Sequence, residues 1–211
     1  MIRLATLEDI PTILAISNHY ALTTPANFAV EPESLDSWQA EFRAKSEVFP
    51  WFVAELDEPV RETTPTASTN DLTRPLALSL RGRGKVIGFA KASPWKGRCA
   101  YDWSAETTVY IDSAHLGRGI GRALYDRLIS TLRAQGYRTL LGGITLPNEA
   151  SMQLHESFGF RRVAALERIG WKFGRWHDVG YWQLQLQPHD HPPSKVRPVR
   201  EVVEVSAAPV R

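Results

Sequence analysis

The chain has 211 residues, 43% of them hydrophobic and 23% charged, which is enough apolar material for one packed domain. A formal net charge of +2, with both signs mixed, gives no support for a nucleic-acid-binding protein. Cys99 is the single cysteine, so an intrachain disulfide is excluded, and no apolar run approaches the roughly 20 residues that a membrane span needs. With no apolar leader at the N-terminus either, we expect a soluble, cytoplasmic protein without a membrane or nucleic-acid partner.

The N-terminal half is predicted to alternate strands and helices. Apolar spacing and capping residues predict a strand at 2–5, a helix from Thr6 to about Tyr20, a helix near 34–46 and a strand at 51–56. Residues 57–75 are rich in Thr and Pro and poor in large apolar side chains, so they are predicted to form a flexible surface insertion. Residues 76–80 fit either a strand or the end of this insertion, and 81–85 fit a basic turn.

The C-terminal half continues the alternation. The predicted strands are 86–92, 107–111, 138–145, 161–168 and 181–186, and the predicted helices are 120–136 and 148–157. Leu124, Leu128 and Leu132 give the first of these helices one apolar face. The Pro-rich tail at 188–211 is predicted to be extended or disordered. The order of the elements predicts a mixed α/β domain at residues 1–187.

The densest motif is the glycine-rich segment 115–122, His-Leu-Gly-Arg-Gly-Ile-Gly-Arg, which joins a predicted strand to a long helix. Glycines let backbone N–H groups approach a ligand, and a helix N-terminus favours an anion such as a diphosphate. Arg118 and Arg122 are candidates for additional charged contacts. A nucleotide P-loop would need Gly-Lys-Ser/Thr, and a dinucleotide fingerprint would need glycine where Arg122 stands. Both of those alternatives fail.

Two segments together resemble the GNAT superfamily of N-acetyltransferases. Residues 116–121 are similar to its Arg/Gln-x-x-Gly-x-Gly/Ala turn, with Leu116 in place of Arg or Gln. Residues 148–160 are similar to its Asn-x-x-Ser/Ala segment, which ends in Glu-x-x-Gly-Phe. Further segments at 18–20, 27–28, 95–110 and 173–184 resemble the phosphinothricin N-acetyltransferases. This resemblance covers nearly the whole chain and implies a mixed, mostly antiparallel central sheet flanked by helices.

The resemblance also implies an activity. The expected reaction moves an acetyl group directly from acetyl-CoA to the amine of phosphinothricin, methionine sulfoximine or methionine sulfone, conferring resistance. Glu106 resembles the family's general base, acting directly or through water. His155 is either a catalytic partner that protonates the departing thiolate or a structural histidine, and Tyr110 is a further candidate for that proton. Cys99 is not expected to carry the acetyl group, and a homodimer is expected.

The remaining roles that the resemblance implies concern binding. Main-chain N–H groups at 109–111 are expected to stabilise the oxyanion that forms on attack. The residues implied in coenzyme binding are Val109, Tyr110, Ile111, Gly117, Arg118, Gly119, Ile120, Gly121, Arg122, Asn148 and Ser151. The residues implied in binding the anionic substrate are Phe28, Lys96, Arg98 and Tyr101.

Two other possibilities stay open at this stage. The first is a GNAT acetyltransferase that acts on another small amine, and the second is a non-catalytic module that binds acetyl-CoA. A metal site is not expected, because the histidine and aspartate groups at 177–178 and 189–191 do not form a closed ligand set.

Overall fold

The computed structural model describes residues 1–56, 84–189 and 191–203. The strands are β1 (Ile2–Leu4), β2 (Trp51–Leu56), β3 (Lys85–Pro94), β4 (Ser104–Ile111), β5 (Thr139–Leu146), β6 (Arg161–Lys172) and β7 (Arg175–Gln185). The helices are α1 (Ile10–Thr23), α2 (Leu35–Lys45), α3 (Ile120–Gln135), α4 (Glu149–Ser157) and α5 (Val199–Val203). The predicted insertion at 57–75, the segment 76–80 and all but the end of the basic turn lie outside the described residues.

The seven strands form one sheet in the order β1-β2-β3-β4-β5-β7-β6. Every neighbouring pair is antiparallel except β4 and β5, which are parallel because α3 crosses over between them. The mixed, mostly antiparallel sheet flanked by helices is therefore confirmed.

Helices cover both faces of this sheet and divide the core in two. On one face, Ile10 and Ile13 of α1 and Trp38 of α2 pack against the sheet. On the other face, the predicted leucine stripe of α3 is fully buried, and each such leucine contributes about 1.5–3 kcal/mol by leaving water. No helix within the described ranges is long and apolar enough to cross a membrane.

The last two strands differ from the sequence prediction. β6 extends to Lys172 and β7 begins at Arg175, so the two form a long hairpin in place of two short strands. The hairpin turns at Phe173 and Gly174, with φ of +49° and +72°. Both values lie in the left-handed region that a two-residue hairpin turn of the primed type requires. β7 inserts between β5 and β6, which leaves β6 as one of the two edge strands of the described sheet, with β1 as the other.

The tail also departs from its prediction as far as it is described. Its described part ends in the short helix α5, in which Val199 and Val202 are buried. Gln135, at the end of α3, donates from its side chain to the Arg197 carbonyl at 2.8 Å, and the Arg197 N–H donates to the Gln135 carbonyl at 2.9 Å. The tail is thus anchored to α3 by valine burial and by these paired hydrogen bonds.

Candidate active site

The parallel ladder between β4 and β5 is short, and its end creates an opening in the sheet. Pairing stops where Glu106 faces Leu141. Residues 107–111 of β4 and 142–146 of β5 have no such pairing, so the strands diverge and leave a gap that we call the wedge. The wedge extends about 17 Å along β4, at roughly 3.3 Å per residue. Main-chain groups on its two walls are therefore not used in a β4–β5 ladder.

The glycine turn lies at the open end of the wedge, because it follows β4 and leads into α3. Gly117 and Gly119 have φ of +73° and +75°. Beyond the chain neighbours of each glycine, no atom of the described residues lies within 4 Å of a Cβ built there, so the left-handed backbone, and not lack of space, requires glycine. Gly119 is the N-cap of α3, whose first N–H groups have no partner within the helix. The turn presents main-chain donors at the positive end of a 16-residue helix.

The two arginines of the turn differ in their contacts. Arg122 donates from Nη1 to the Ser157 hydroxyl at 2.9 Å, and its guanidinium lies 5.0 Å from the centroid of the Phe158 ring. It therefore ties α3 to the end of α4. Arg118 is exposed. The coenzyme contacts implied for Arg118 and Arg122 stay predictions.

A second helix begins beside the same opening. Asn148 caps α4 by accepting a hydrogen bond from the Ser151 N–H at 3.2 Å. A Cβ on Gly121 would lie 3.8 Å from Leu154, so the first turn of α3 packs close to α4. The starts of both helices thus flank the mouth of the wedge, one after β4 and one after β5. The coenzyme contacts implied for Asn148 and Ser151 stay predictions.

A cavity of about 450 Å³ lies on the sheet face that α1 and α2 cover. It reaches the closed end of the wedge, where Glu106 contributes to its wall. The residues that line it are Ser17, Ala26, Asn27, Phe28, Glu33, Trp38, Glu41, Lys91, Glu106, Thr108, Tyr110, Gly143, Thr145, Leu166, Ile169, Val179 and Tyr181. The sequence analysis singled out Phe28, Glu106 and Tyr110 of this set and missed the others.

Glu106 has the surroundings of a carboxylate whose proton affinity is increased. Burial raises the pKa of its carboxyl above the ordinary value, while Lys96 and, to a lesser extent, Lys91 oppose that rise. Gly143 lies directly across the wedge, since a Cβ on it would be 3.4 Å from Oε1 of Glu106. A carboxylate at the junction of a cavity and a gap in the sheet can take a proton from a group bound there.

His155 lies away from the cavity wall and is hydrogen-bonded at both ring nitrogens. Nδ1 is 2.7 Å from the Ser151 carbonyl, which only accepts, so Nδ1 carries a hydrogen. Burial lowers the pKa of His155, which favours the neutral ring, and Nε2 then accepts from the Tyr125 hydroxyl at 2.8 Å. Tyr125 in turn lies 2.7 Å from the hydroxyl of Thr107, the neighbour of Glu106. His155 is thus connected to the wedge through two intervening side chains.

The four predicted substrate-binding residues are divided by the structure. Phe28 lines the cavity. Lys96, Arg98 and Tyr101 lie on the exposed segment before β4 and are not among the residues that line it. The Lys96 ammonium lies 4.8 Å from the centroid of the Trp95 ring. The contacts of these three side chains with a substrate stay predictions.

The loop that carries Phe28 is held in place by a buried lysine. Lys172, at the end of β6, is 5% exposed and donates to three backbone carbonyls, one in the last turn of α1 and two in the segment that follows it. Its partners are Ala21, Asn27 at 2.5 Å and Ala29 at 2.7 Å. An ammonium with its three donors used in this way fixes the loop against the β6–β7 hairpin, and so positions this wall of the cavity.

The His177-Asp178 pair serves the same hairpin. His177 is buried, and its Nε2 lies 3.0 Å from the Lys172 carbonyl. Asp178 accepts from the Arg168 N–H at 2.7 Å, at an irregularity of β6 where Arg168 has a φ of +48°. In the described part of the chain, no three His, Cys, Asp or Glu side chains are grouped as a metal site would need.

Comparison with known proteins gives several matches. Residues 71–180 match the family model described as an acetyltransferase (GNAT) domain. Phosphinothricin N-acetyltransferase of Streptomyces viridochromogenes is 36% identical over 95% of this chain and 95% of its own length. L-Methionine sulfoximine/L-methionine sulfone acetyltransferase of Salmonella typhimurium is 32% identical over 90% of this chain and 97% of its own.

Solved structures agree with these sequence matches. A phosphinothricin acetyltransferase of the GNAT superfamily from Sinorhizobium meliloti, in complex with acetyl-CoA, has a TM-score of 0.77 and 26% identity, covering 92% of this chain and 93% of its own. A putative acetyltransferase from Salmonella typhimurium with its cofactor acetyl-CoA has a TM-score of 0.76 and 32% identity, covering 91% and 96%.

Proposed function

This chain belongs to the GNAT family of N-acetyltransferases and uses acetyl-CoA, and from that premise we propose that it acetylates the amino group of phosphinothricin or of a related amino-acid analogue, such as methionine sulfoximine or methionine sulfone. Such acetylation would confer resistance to these compounds. The observation that carries the proposal is the meeting of an acidic side chain, Glu106, with both the cavity and the wedge whose mouth bears the glycine turn.

The residues at the mouth of the wedge suit acetyl-CoA. The left-handed Gly117 and Gly119 and the N-terminus of α3 supply N–H donors for the diphosphate. The unpaired wall of β4 offers main-chain donors along the wedge, so an extended group can lie beside it as a further strand would. When bound, acetyl-CoA supplies an activated acetyl thioester. A main-chain N–H group within 109–111 then donates to the oxygen on which negative charge develops.

The cavity supplies the acceptor side of the reaction. An α-amine is mostly protonated at neutral pH and must lose a proton before it attacks. Glu106 accepts that proton, directly or through water, because its raised pKa makes it a better base than an exposed carboxylate. We assign His155 a positioning role: it bonds to Ser151 and Tyr125, and Tyr125 bonds in turn to Thr107 of β4 at the closed end of the wedge.

The pH dependence of the reaction tests the role of Glu106. A base must be deprotonated to work, so kcat/KM should fall as the pH drops through the raised pKa of Glu106, above the range of an exposed glutamate. Lys96 lowers that pKa, so Lys96→Met should move the acid limb of the profile to higher pH. The exposed Lys85 is a matched control, and Lys85→Met should leave the limb in place. An acid limb at the same pH in Lys96→Met and the wild type would contradict this electrostatic account.

A thiol-release assay tests the proposed function itself. With acetyl-CoA as donor, the purified enzyme should acetylate phosphinothricin, methionine sulfoximine or methionine sulfone faster than common amino acids. The carboxylate of Glu33 on the cavity wall favours a second candidate, an acceptor that carries an additional cationic group, so lysine and small diamines belong in the same panel. Binding of acetyl-CoA without acetylation of any acceptor would instead indicate a non-catalytic module.

We also propose that the enzyme is a homodimer that associates through the β6–β7 hairpin. β6 is an edge strand, and large apolar side chains of the hairpin are more than half exposed. These side chains are Val163 at 53%, Ile169 at 54%, Trp171 at 57%, Phe173 at 56% and Trp176 at 55%. Exposed apolar side chains concentrated on an edge hairpin are typical of a protein interface. Its self-association would cover the apolar edge in solution.

Sedimentation velocity tests the dimer. Trp171→Glu should convert dimer to monomer, because a charge would have to be buried in the interface. Leu22→Glu is the matched control, since Leu22 is 51% exposed on α1 and lies outside the hairpin. A wild-type protein that sediments as a monomer at micromolar concentration would contradict the proposal.

A further inference from the structure

Lys91 is a buried cation in the wall of the acceptor cavity. It lies on β3, paired with Thr108 of β4, while Glu106 pairs with Ser93. Side chains two residues apart on a strand point to the same face, so Lys91 and Glu106 share one face of the sheet as diagonal neighbours. The Lys91 side chain is only 13% exposed, although lysine is among the residues least often buried.

Two indole rings and a carboxylate hold this ammonium. Nζ of Lys91 lies 4.5 Å from the ring centroid of Trp38 and 4.3 Å from that of Trp51. It donates to Oε2 of Glu41 at 3.1 Å, and Glu41 also pairs with Lys45 at 3.3 Å. An ammonium has three N–H donors, and the described contacts use one of them. Lys91 can therefore form further hydrogen bonds with a molecule in the cavity.

The charges around the cavity indicate which part of the acceptor Lys91 would contact. Lys91 is the one lysine or arginine among the described residues that line the cavity. Lys96 lies outside that lining, yet it acts on Glu106 more strongly than Lys91 does. An α-carboxylate is attached to the carbon that bears the reacting amine, so it stays near Glu106, on the side of Lys96. Lys91 packs against two tryptophans below α2, where the side-chain end of the acceptor would lie.

We propose that Lys91 is a specificity-determining residue, which donates a hydrogen bond to an anionic group at the side-chain end of the acceptor. The inference rests on the proposed function and narrows it to acceptors whose side chain ends in an acid, such as a phosphinate or a carboxylate. Trp38 and Trp51 pack against the ammonium, and Glu41 accepts one of its hydrogen bonds, so the ammonium is oriented before the acceptor binds. Little ordering is then needed on binding.

The test compares two acceptors on the same enzyme. Phosphinothricin has an anionic side-chain end, whereas methionine sulfone has a neutral one and the same α-carboxylate. With Lys91→Met, kcat/KM for phosphinothricin should fall on the order of 10- to 100-fold, as expected for a lost hydrogen bond between charged groups, and that for methionine sulfone by about 3-fold or less. The ratio of the two values is independent of how much of the variant is folded. If one acceptor is not turned over, its inhibition constant against the other replaces kcat/KM.

Two further variants sharpen the comparison. Lys91→Arg keeps the charge and should retain most of the preference for phosphinothricin. Lys85→Met removes an exposed lysine from the start of the same strand and should leave the ratio unchanged. An equal loss of kcat/KM for both acceptors in Lys91→Met would overturn this inference but not the proposed function. Lys91 would then stabilise the fold or bind the α-carboxylate that both acceptors share. A wild-type enzyme that acetylates neither acceptor would overturn the proposed function and this inference with it.

Discussion

Glu106→Gln is expected to lower kcat/KM for the acceptor by about 10²- to 10⁴-fold, the range that a general base contributes. Glutamine keeps the size and hydrogen-bonding ability of the side chain but cannot take a proton at any working pH. Because Glu106 lies at the closed end of the wedge, away from the glycine turn, the affinity for acetyl-CoA should change little. The acid limb of the pH profile should disappear with the carboxylate.

Stopped acetylation assays and calorimetric titration with acetyl-CoA separate these effects. Glu106→Asp provides an intermediate case, because it keeps a carboxylate on a side chain that is one methylene shorter. Its kcat/KM should lie between those of Glu106→Gln and the wild type. Retention of more than about a third of wild-type kcat/KM by Glu106→Gln would be incompatible with a contribution of the expected size from a general base.

Gly119→Val is the second substitution with a large expected effect, and it acts on the other substrate. Valine at a φ of +75° is strained by roughly 1–3 kcal/mol, so the turn must change its backbone conformation. The N–H groups that face the diphosphate then turn away. The KM for acetyl-CoA should rise on the order of 10- to 100-fold through loss of charge-assisted hydrogen bonds, while the KM for the acceptor changes little.

Gly136→Val separates this effect from loss of stability. Gly136 is the C-cap of the same helix, α3, with a φ of +102°, and it lies at the end remote from the glycine turn. Both variants should lower the melting temperature, but only Gly119→Val should raise the KM for acetyl-CoA. A normal KM in Gly119→Val would mean that another part of the chain binds the diphosphate.

Much of the fold follows from local patterns in the sequence. The helix α3 has a buried stripe at four-residue spacing and ends at a glycine, and β2 was predicted with its observed bounds, because both signals are local. The β6–β7 hairpin was missed because its turn has Phe173 at a left-handed position, where Asn or Asp is the usual signal. The ladder that pairs Lys172 with Arg175 supports that conformation.

The tail was mispredicted for a related reason. Its prolines indicated an extended chain, but Val199 and Val202 bury their side chains, and Arg197 pairs with Gln135 more than sixty residues earlier. Such partners are visible only in three dimensions.

The candidate site was predicted from sequence only where it contains a motif. The glycine turn and the segment at 148–160 are each a run of consecutive residues, so each could be recognised as a motif. The cavity is built from single residues on α1, α2, the loop between them and five strands, and no spacing links Glu41, Lys91 and Tyr181 along the chain. An isolated lysine on a strand gives no sign that two indoles will enclose it. The walls that select the acceptor could therefore not be derived from sequence patterns.

The most direct test of this account is an experimental structure of the enzyme with acetyl-CoA and a slowly reacting acceptor analogue. We expect the diphosphate within hydrogen-bond distance of the main-chain N–H groups at 117–121, the thioester in the wedge and the acceptor nitrogen within reach of Glu106, directly or through one water. A diphosphate bound away from the glycine turn, or an acceptor nitrogen outside the cavity that contains Glu106, would contradict it.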